Sequence, residues 1–132
     1  MWKGLEQFEP EPSYEGFVYI IKRISTGEWY LGKKSFWSRV KETKKSSPKF
    51  GKKVTKESNW KIYQSSSDVV SKWPEDDIEK VCLRICKSKY ELSYYELFYL
   101  FKTEGLRKTL CLNYMAGSST IGKCPDYMLI EE

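Results

Sequence analysis

Gly16-Phe17-Val18-Tyr19-Ile20-Ile21-Lys22 and Glu28-Trp29-Tyr30-Leu31-Gly32-Lys33, with Ser25-Thr26-Gly27 between them, form the stretch that decides how this chain is read. Both flanks are rich in β-branched and aromatic residues, which suit a pleated, half-buried surface, so 16–22 and 28–33 are predicted strands. Ser-Thr-Gly is a short turn in which glycine supplies φ > 0, and the pair is predicted to fold as an antiparallel hairpin. Tyr19 and Tyr30 then belong to neighbouring strands. If they share a face, two phenol hydroxyls converge at one place.

Working outward, 35–42 reads as a short helix carrying Arg39, and 43–57, with Pro48 and Gly51 and no periodicity, reads as a long basic loop. Residues 66–73 read as a helix ended by Pro74, and 78–86 as a third strand. Cys82 and Cys86 lie four apart in that strand, hence on one face, as core residues. Ser88 and Glu91 form a capping box for a helix running to about Thr103, with Gly105 near its end. From Tyr90 to Phe101 that helix is apolar nearly all round, which predicts burial. Glu96 falls inside it. An ionised carboxylate there needs a cation, or its pKa must rise. Trp60 reads as core. Residues 1–15, with Pro10, Pro12 and four glutamates, read as an acidic N-terminal arm that packs on the domain, is disordered, or lies over a basic face. The 110–132 segment either adds a strand or packs along the domain. The expected architecture is a single α+β domain, 16–132, with a small three-stranded antiparallel sheet flanked by helices and a basic loop at about 41–57.

The chain has 132 residues, enough for one core, and 16% of them are aromatic, which excludes a disordered chain. No run approaches the length of a membrane span, and Met1-Trp2-Lys3-Gly4 lacks an apolar signal core, so a cytoplasmic protein is expected. The four cysteines are expected as free thiols, and no zinc site is expected, since there is no Cys-x-x-Cys pair and no histidine. The lack of histidine excludes Ser-His-Asp and Cys-His schemes and leaves Tyr, Lys, Glu and Asp for proton transfer. Charge is uneven. Eleven Lys or Arg and two Glu between Lys33 and Lys61 give +9 within a chain of net +5, so the remainder is acidic. That asymmetry points to a polyanion contacted on one side, and the interleaved Phe36, Trp37, Phe50 and Trp60 favour binding over a merely solvated loop.

The two triplets Phe17-Val18-Tyr19 and Tyr30-Leu31-Gly32 resemble those that open the GIY-YIG nuclease domain, with Phe17 where that family has Gly. The rest of its constellation follows in order: Lys33 and Lys34, Arg39, Glu96 in Ser93-Tyr94-Tyr95-Glu96, and Asn113 in Leu110-Cys111-Leu112-Asn113. The stretches Gly32-Lys33-Lys34-Ser35-Phe36-Trp37-Ser38-Arg39, Ser58-Asn59-Trp60-Lys61-Ile62-Tyr63-Gln64-Ser65-Ser66 and Cys86-Lys87-Ser88-Lys89 resemble the phage-encoded SegE-like group. The likeness spans roughly 14–115. Some relatives place His four residues after the Arg and others Tyr. Thr43 stands there in this chain.

The resemblance implies a metal-dependent DNA endonuclease that leaves a 5′-phosphate and a 3′-hydroxyl, by nicking or by double-strand cutting. Glu96 would hold Mg²⁺ or Mn²⁺, Arg39 the scissile phosphate, and Tyr19 would take the proton of the attacking water. Tyr30, Lys33, Lys34 and Asn113 would complete the site. Lys41, Lys44, Lys45, Lys49, Lys52, Lys53, Lys61, Tyr63 and Ser66 are expected to bind DNA, which would be double-stranded. A homodimer is one route to a double-strand break. The alternatives are an inactive nucleic-acid-binding module on the same scaffold, and a protein-interaction domain solubilised by its lysines.

Overall fold

The computed structural model describes residues 1–113, 115, 116, 119, 120 and 124–131. Strands β1 (Gly16–Arg23) and β2 (Trp29–Ser35) form the expected hairpin. Gly27 adopts φ +78° in the turn, and its N–H donates to the Arg23 carbonyl at 2.8 Å. The third strand, Ile78–Cys86, pairs with the other side of β1, so β1 is central in an antiparallel sheet and β2 lies at one edge.

Between β2 and that third sheet strand the expectations fail in two places. Residues 35–42 are not a helix. Trp37–Lys41 is a strand, β3, and it pairs antiparallel with β4, Lys53–Glu57, which occupies the end of the expected loop. Trp37, Val40, Val54 and Thr55 are aromatic or β-branched, and four to five such residues suit a ribbon better than one isolated helical turn. Residues 66–73 make only a single 3₁₀ turn, Val70–Lys72. Serine side chains compete there: Ser65 Oγ accepts from the Ser67 N–H at 3.1 Å, and Ser65 itself sits at φ +82°. The sheet strand Ile78–Cys86, β5, has its expected bounds. It carries a bulge opposite Val18 and Tyr19, where the register steps from Arg84 to Cys82. The extra residue moves Cys82 and Cys86 onto opposite faces, correcting the expectation that they share one. All four cysteines are free thiols, and burial pushes those of Cys82 and Cys86 up to about 11.

The helix α1, Lys89–Lys102, starts as expected: Ser88 Oγ accepts from the Glu91 N–H at 3.1 Å. Glu91 reaches back to the Lys87 N–H at 3.1 Å. Its burial is less than the apolar run predicts. Only Leu92 and Leu100 are buried, while Tyr90 is 80% exposed and Tyr94, Phe98 and Phe101 also face outward. A three-stranded sheet covers one side of a helix and no more.

Each face of the sheet has its own core. On one, Val18, Leu31, Cys86 and Leu92 pack under α1. On the other, Phe17, Tyr19 and Ile21 meet Phe36, Trp60, Val70, Trp73 and two residues of the N-terminal arm, Trp2 and Leu5. The arm therefore packs. Lys3 bridges the outer edge of β5 through the Lys80 carbonyl (2.8 Å) and the Cys82 N–H (2.9 Å), and Trp2 Nε1 donates to the Trp60 carbonyl at 2.6 Å. Trp60 is core. Met115–Ala116 (β6) and Ser119–Thr120 (β7) pair as a small ribbon apart from the main sheet, while Cys111 in the same 110–132 segment makes a parallel bridge to Trp29 on the edge of β2. Tyr114, Gly117, Ser118, 121–123 and Glu132 lie outside the described residues.

Candidate active site and nucleic-acid interface

Tyr19 pairs with Gly32, and Ile21 with Tyr30, so Tyr19 and Tyr30 lie diagonally on one face, as the alternation of a hairpin requires. Gly32 is what lets Tyr19 lie flat. A Cβ at Gly32 would stand 2.5 Å from the Tyr19 hydroxyl oxygen and 2.6 Å from Cζ. The phenol crosses the strand through space that any other residue would fill. Its ring is held by Trp2 at 4.9 Å and Tyr63 at 6.2 Å between centroids. Lys34 Nζ stands 4.2 Å from the Tyr63 ring centroid.

Electrostatics separate the two phenols. Tyr19 is fully buried, and burial drives its pKa far above the usual tyrosine value, against a smaller opposing effect of Ser65. Tyr30 is also raised, first by burial and then by the negative charge of Glu96. Its side chain lines a cleft of about 700 Å³ shared with Ser66, Leu112 and Asn113. Glu96 is raised by burial and drawn back by Lys33. It makes no hydrogen bond or ion pair among the described residues. The next turn of α1 toward its N-terminus is tied to β2, since Lys33 Nζ donates to Ser93 Oγ at 2.9 Å.

Asn113 has a backbone partner. Its Oδ1 accepts from the Leu31 N–H at 2.9 Å, and its Nδ2 donates to the Leu31 carbonyl at 2.8 Å. One side chain thus continues the ladder on the open edge of β2, beyond the point where Leu112 bonds Trp29.

Arg39 lies on β3, not on a helix, and on the ribbon face shared with Trp37 and Thr55. That face lines a second cleft, of about 890 Å³, with Lys33, Lys34, Lys89, Ser93, Pro12 and Glu15. Four cations meet one carboxylate there. Arg39 makes no hydrogen bond or ion pair among the described residues. Lys41 and Lys53 extend the same ribbon face, and Lys44, Lys45, Lys49 and Lys52 are exposed in the connection beyond them. Lys61 is engaged elsewhere, at 3.8 Å from Glu9 and 5.6 Å from the Trp60 ring centroid. The structure thus groups Tyr19, Tyr30, Tyr63, Ser66, Lys34, Lys33, Glu96 and Asn113 along β2, with Arg39 across the neighbouring cleft. Sequence reasoning missed Ser65, Lys89, Ser93 and Trp2. Only Trp2 had a legible signal, the apolar spacing of Trp2, Leu5 and Phe8.

A family model described as "Putative endonuclease segE, GIY-YIG domain" matches residues 3–115, six-sevenths of the chain. The chain belongs to the SegE-type GIY-YIG endonuclease family. No curated protein and no solved structure matches it significantly. The small three-stranded antiparallel sheet with its flanking helix is the α+β GIY-YIG fold, and the family is one of endonucleases that act on DNA and generally depend on a divalent metal. No helix among the described residues is long and apolar enough to cross a membrane.

This SegE-type chain offers such a metal few protein ligands. Among the described residues no three His, Cys, Asp or Glu side chains cluster. Glu96 is the carboxylate whose charge acts on Tyr30 and is offset by Lys33, while Glu28 and Asp68 line the Tyr30 cleft and Glu15 the cleft with Lys33. An unpaired, half-buried carboxylate suits a hard cation that keeps most of its waters and is shared with substrate phosphate. It does not suit zinc, which takes three or four N or S ligands.

Proposed function

We propose that this chain is a catalytically active, metal-dependent DNA endonuclease, phage-encoded, that hydrolyses one phosphodiester per encounter and leaves a 5′-phosphate and a 3′-hydroxyl. The observation that carries the reading is Glu96: a half-buried carboxylate with no hydrogen bond or ion pair among the described residues, whose charge acts on Tyr30 and is offset by Lys33, which itself lines the cationic cleft. A structural carboxylate in that position would be ion-paired or hydrogen-bonded.

Glu96 holds Mg²⁺ or Mn²⁺, which when bound supplies positive charge to the phosphate and eases ionisation of nearby oxygen acids. Arg39 and Lys34 reach the phosphate from the cleft, orient it and stabilise the charge that grows on it as water attacks phosphorus and the P–O3′ bond breaks. The attacking water gives its proton to a tyrosine in its phenolate form, whose own proton has first passed to solvent against the burial that raises its pKa, and the departing O3′ takes a proton from solvent to become the 3′-hydroxyl. Tyr30 is better placed than Tyr19 for that step, because Tyr30 opens on a cleft and Tyr19 does not. Tyr19 is then a positioning residue, held against Gly32 and Tyr63. Lys33 anchors α1 to β2 and offsets the charge of Glu96. Asn113 positions Tyr30 by fixing the edge of β2. Ser66 and Tyr63 contact the DNA backbone beside Tyr30, and the arm 1–15 forms part of the same folding unit as 16–132.

The test is supercoiled plasmid at low salt with Mg²⁺, Mn²⁺ or EDTA, for the wild type and Glu96→Gln. Metal-dependent conversion to open circles that vanishes in Glu96→Gln is the expected result. Open circles appearing well before linear product identify a monomer that nicks, whereas direct linear product indicates two copies acting together. DNA shifted on a gel but uncut with every metal, on plasmid and on phage and host genomic DNA, would leave a binding module.

A further inference from the structure

The segments expected as a short helix and a long basic loop together form a two-stranded ribbon separate from the main sheet. Its connection, 42–52, is built from successive turns: Ser47 N–H to Lys44, Phe50 N–H to Ser47 and Lys52 N–H to Lys49, at 2.9–3.0 Å. Glu42 closes it by pairing with Lys52 and Gly51. Both acids of the ribbon are used internally. Glu42 stands 3.6 Å from Lys56 Nζ, and Glu57 accepts from Trp60 Nε1 at 3.2 Å. Arg39, Lys41, Lys44, Lys45, Lys49, Lys52 and Lys53 make no ion pair among the described residues. At the far end Phe50 is 51% exposed, and on the ribbon face away from the cleft Val40 is 41% exposed. An exposed aromatic at the tip of an ordered cationic ribbon serves neither solubility nor the core.

We propose that the β3–β4 ribbon is a reading arm that enters the major groove of double-stranded DNA, with its lysines on the flanking phosphates and Phe50 against the base edges. This rests on DNA being the substrate. Strands about 4.8 Å apart fit a groove about 12 Å wide, and five residues of strand span about 17 Å along it. An apolar ring is suited to thymine methyl groups, which only the major groove displays. The face bearing Arg39, Lys41 and Lys53 runs into the cleft with Lys33, Lys34 and Lys89, so a duplex held by the ribbon is led to Lys33 and Ser93, one turn of α1 from Glu96.

The experiment uses the full chain carrying Glu96→Gln, to keep DNA uncut, and duplexes treated with dimethyl sulfate. The reagent methylates guanine N7 in the major groove and adenine N3 in the minor groove. Interference at guanine N7 is expected. Replacing 42–52 by Asn-Gly, a turn that preserves β3–β4 pairing, should abolish it and weaken duplex binding at least tenfold. Phe50→Ser, which leaves every charge in place, should weaken binding about tenfold with an unchanged salt slope. Interference at adenine N3 alone, no interference, or wild-type affinity in Phe50→Ser would overturn the proposal, and Phe50→Ser decides it if the shortened variant fails to fold. Plasmid cutting by the wild type is read in parallel. Cutting without N7 interference counts against the ribbon alone, and N7 interference without cutting counts against the catalytic reading alone.

Discussion

Gly32→Ala is the substitution whose consequence is most directly worked from the geometry. The added methyl would sit 2.5 Å from the Tyr19 hydroxyl oxygen, 2.6 Å from Cζ and 3.2 Å from Cε1, where ordinary contact begins near 3.4 Å. The ring must therefore retreat by close to 1 Å. It has little room to do so, since Trp2, Phe17 and Tyr63 enclose it at centroid distances of 4.9, 6.1 and 6.2 Å. Overpacking of this kind costs about 1–3 kcal/mol, which in urea moves the midpoint by about 1 M. Under the positioning role proposed for Tyr19, a displacement near 1 Å should also lower turnover by about 10²-fold. Urea melts and plasmid cutting measure the two effects. The attribution to the Tyr19 ring is checked by a cycle with Tyr19→Leu: in that background Gly32→Ala should have almost no effect on stability, giving a coupling of about 1–3 kcal/mol. A Gly32→Ala protein that melts and cuts like the wild type refutes the packing argument. Equal destabilisation in both backgrounds places the cost in the backbone instead.

Three other outcomes follow from the same contacts. In EDTA, Glu96 has a folded-state pKa above its unfolded value, so the folded state holds its proton longer and stability falls as pH rises from the ordinary carboxylate range through the raised pKa. Glu96→Gln lacks this descent, so urea midpoints at pH 4 and pH 8 should diverge between the two proteins, with the variant the more stable at pH 8. Asn113→Ala removes both side-chain bonds to Leu31 and should cost about 1–3 kcal/mol. Hydrogen exchange at the Leu31 amide should quicken with it. Trp2→Ala empties a fully buried site between Phe17 and Tyr19 and should cost about 3–5 kcal/mol in a urea melt. A disposable arm would show no such loss.

What was legible in the sequence was local. The β1–β2 hairpin, β5 and the capped start of α1 announce themselves through turn glycine, β-branched runs and a capping box, and all three stand where expected. The failures have non-local causes. Whether 35–42 coils or extends is decided by a partner strand more than ten residues away, which periodicity within the window does not register. The bulge that separates Cys82 from Cys86 is a mismatch between two strands and belongs to neither alone. The exposed aromatic side of α1 reflects how little sheet there is to cover it. For the candidate site, residue types and order were readable, but not that Tyr19 lies buried while Tyr30 opens on a cleft, since that follows from how the arm and 60–73 fold over one face.

The placement of the candidate groups on β2 also explains why so much holds that strand's register. Tyr30, Gly32 and Lys34 point to one face, and Leu31 and Lys33 to the other, so the site straddles an edge strand. A slip of one residue would send Tyr30 and Lys34 to the α1 side and turn Lys33 away from Ser93. Edge strands resist such slips poorly, having a ladder on one side only. Here three contacts that depend on residue identity act together: Tyr19 fits over Gly32 alone, Asn113 completes the ladder at Leu31, and Lys33 ties the strand to Ser93. Under the catalytic role proposed for Tyr30 and Glu96, the residues that hold the strand in register are the ones that would hold the chemistry, and loss of any one should reach activity before it unfolds the domain.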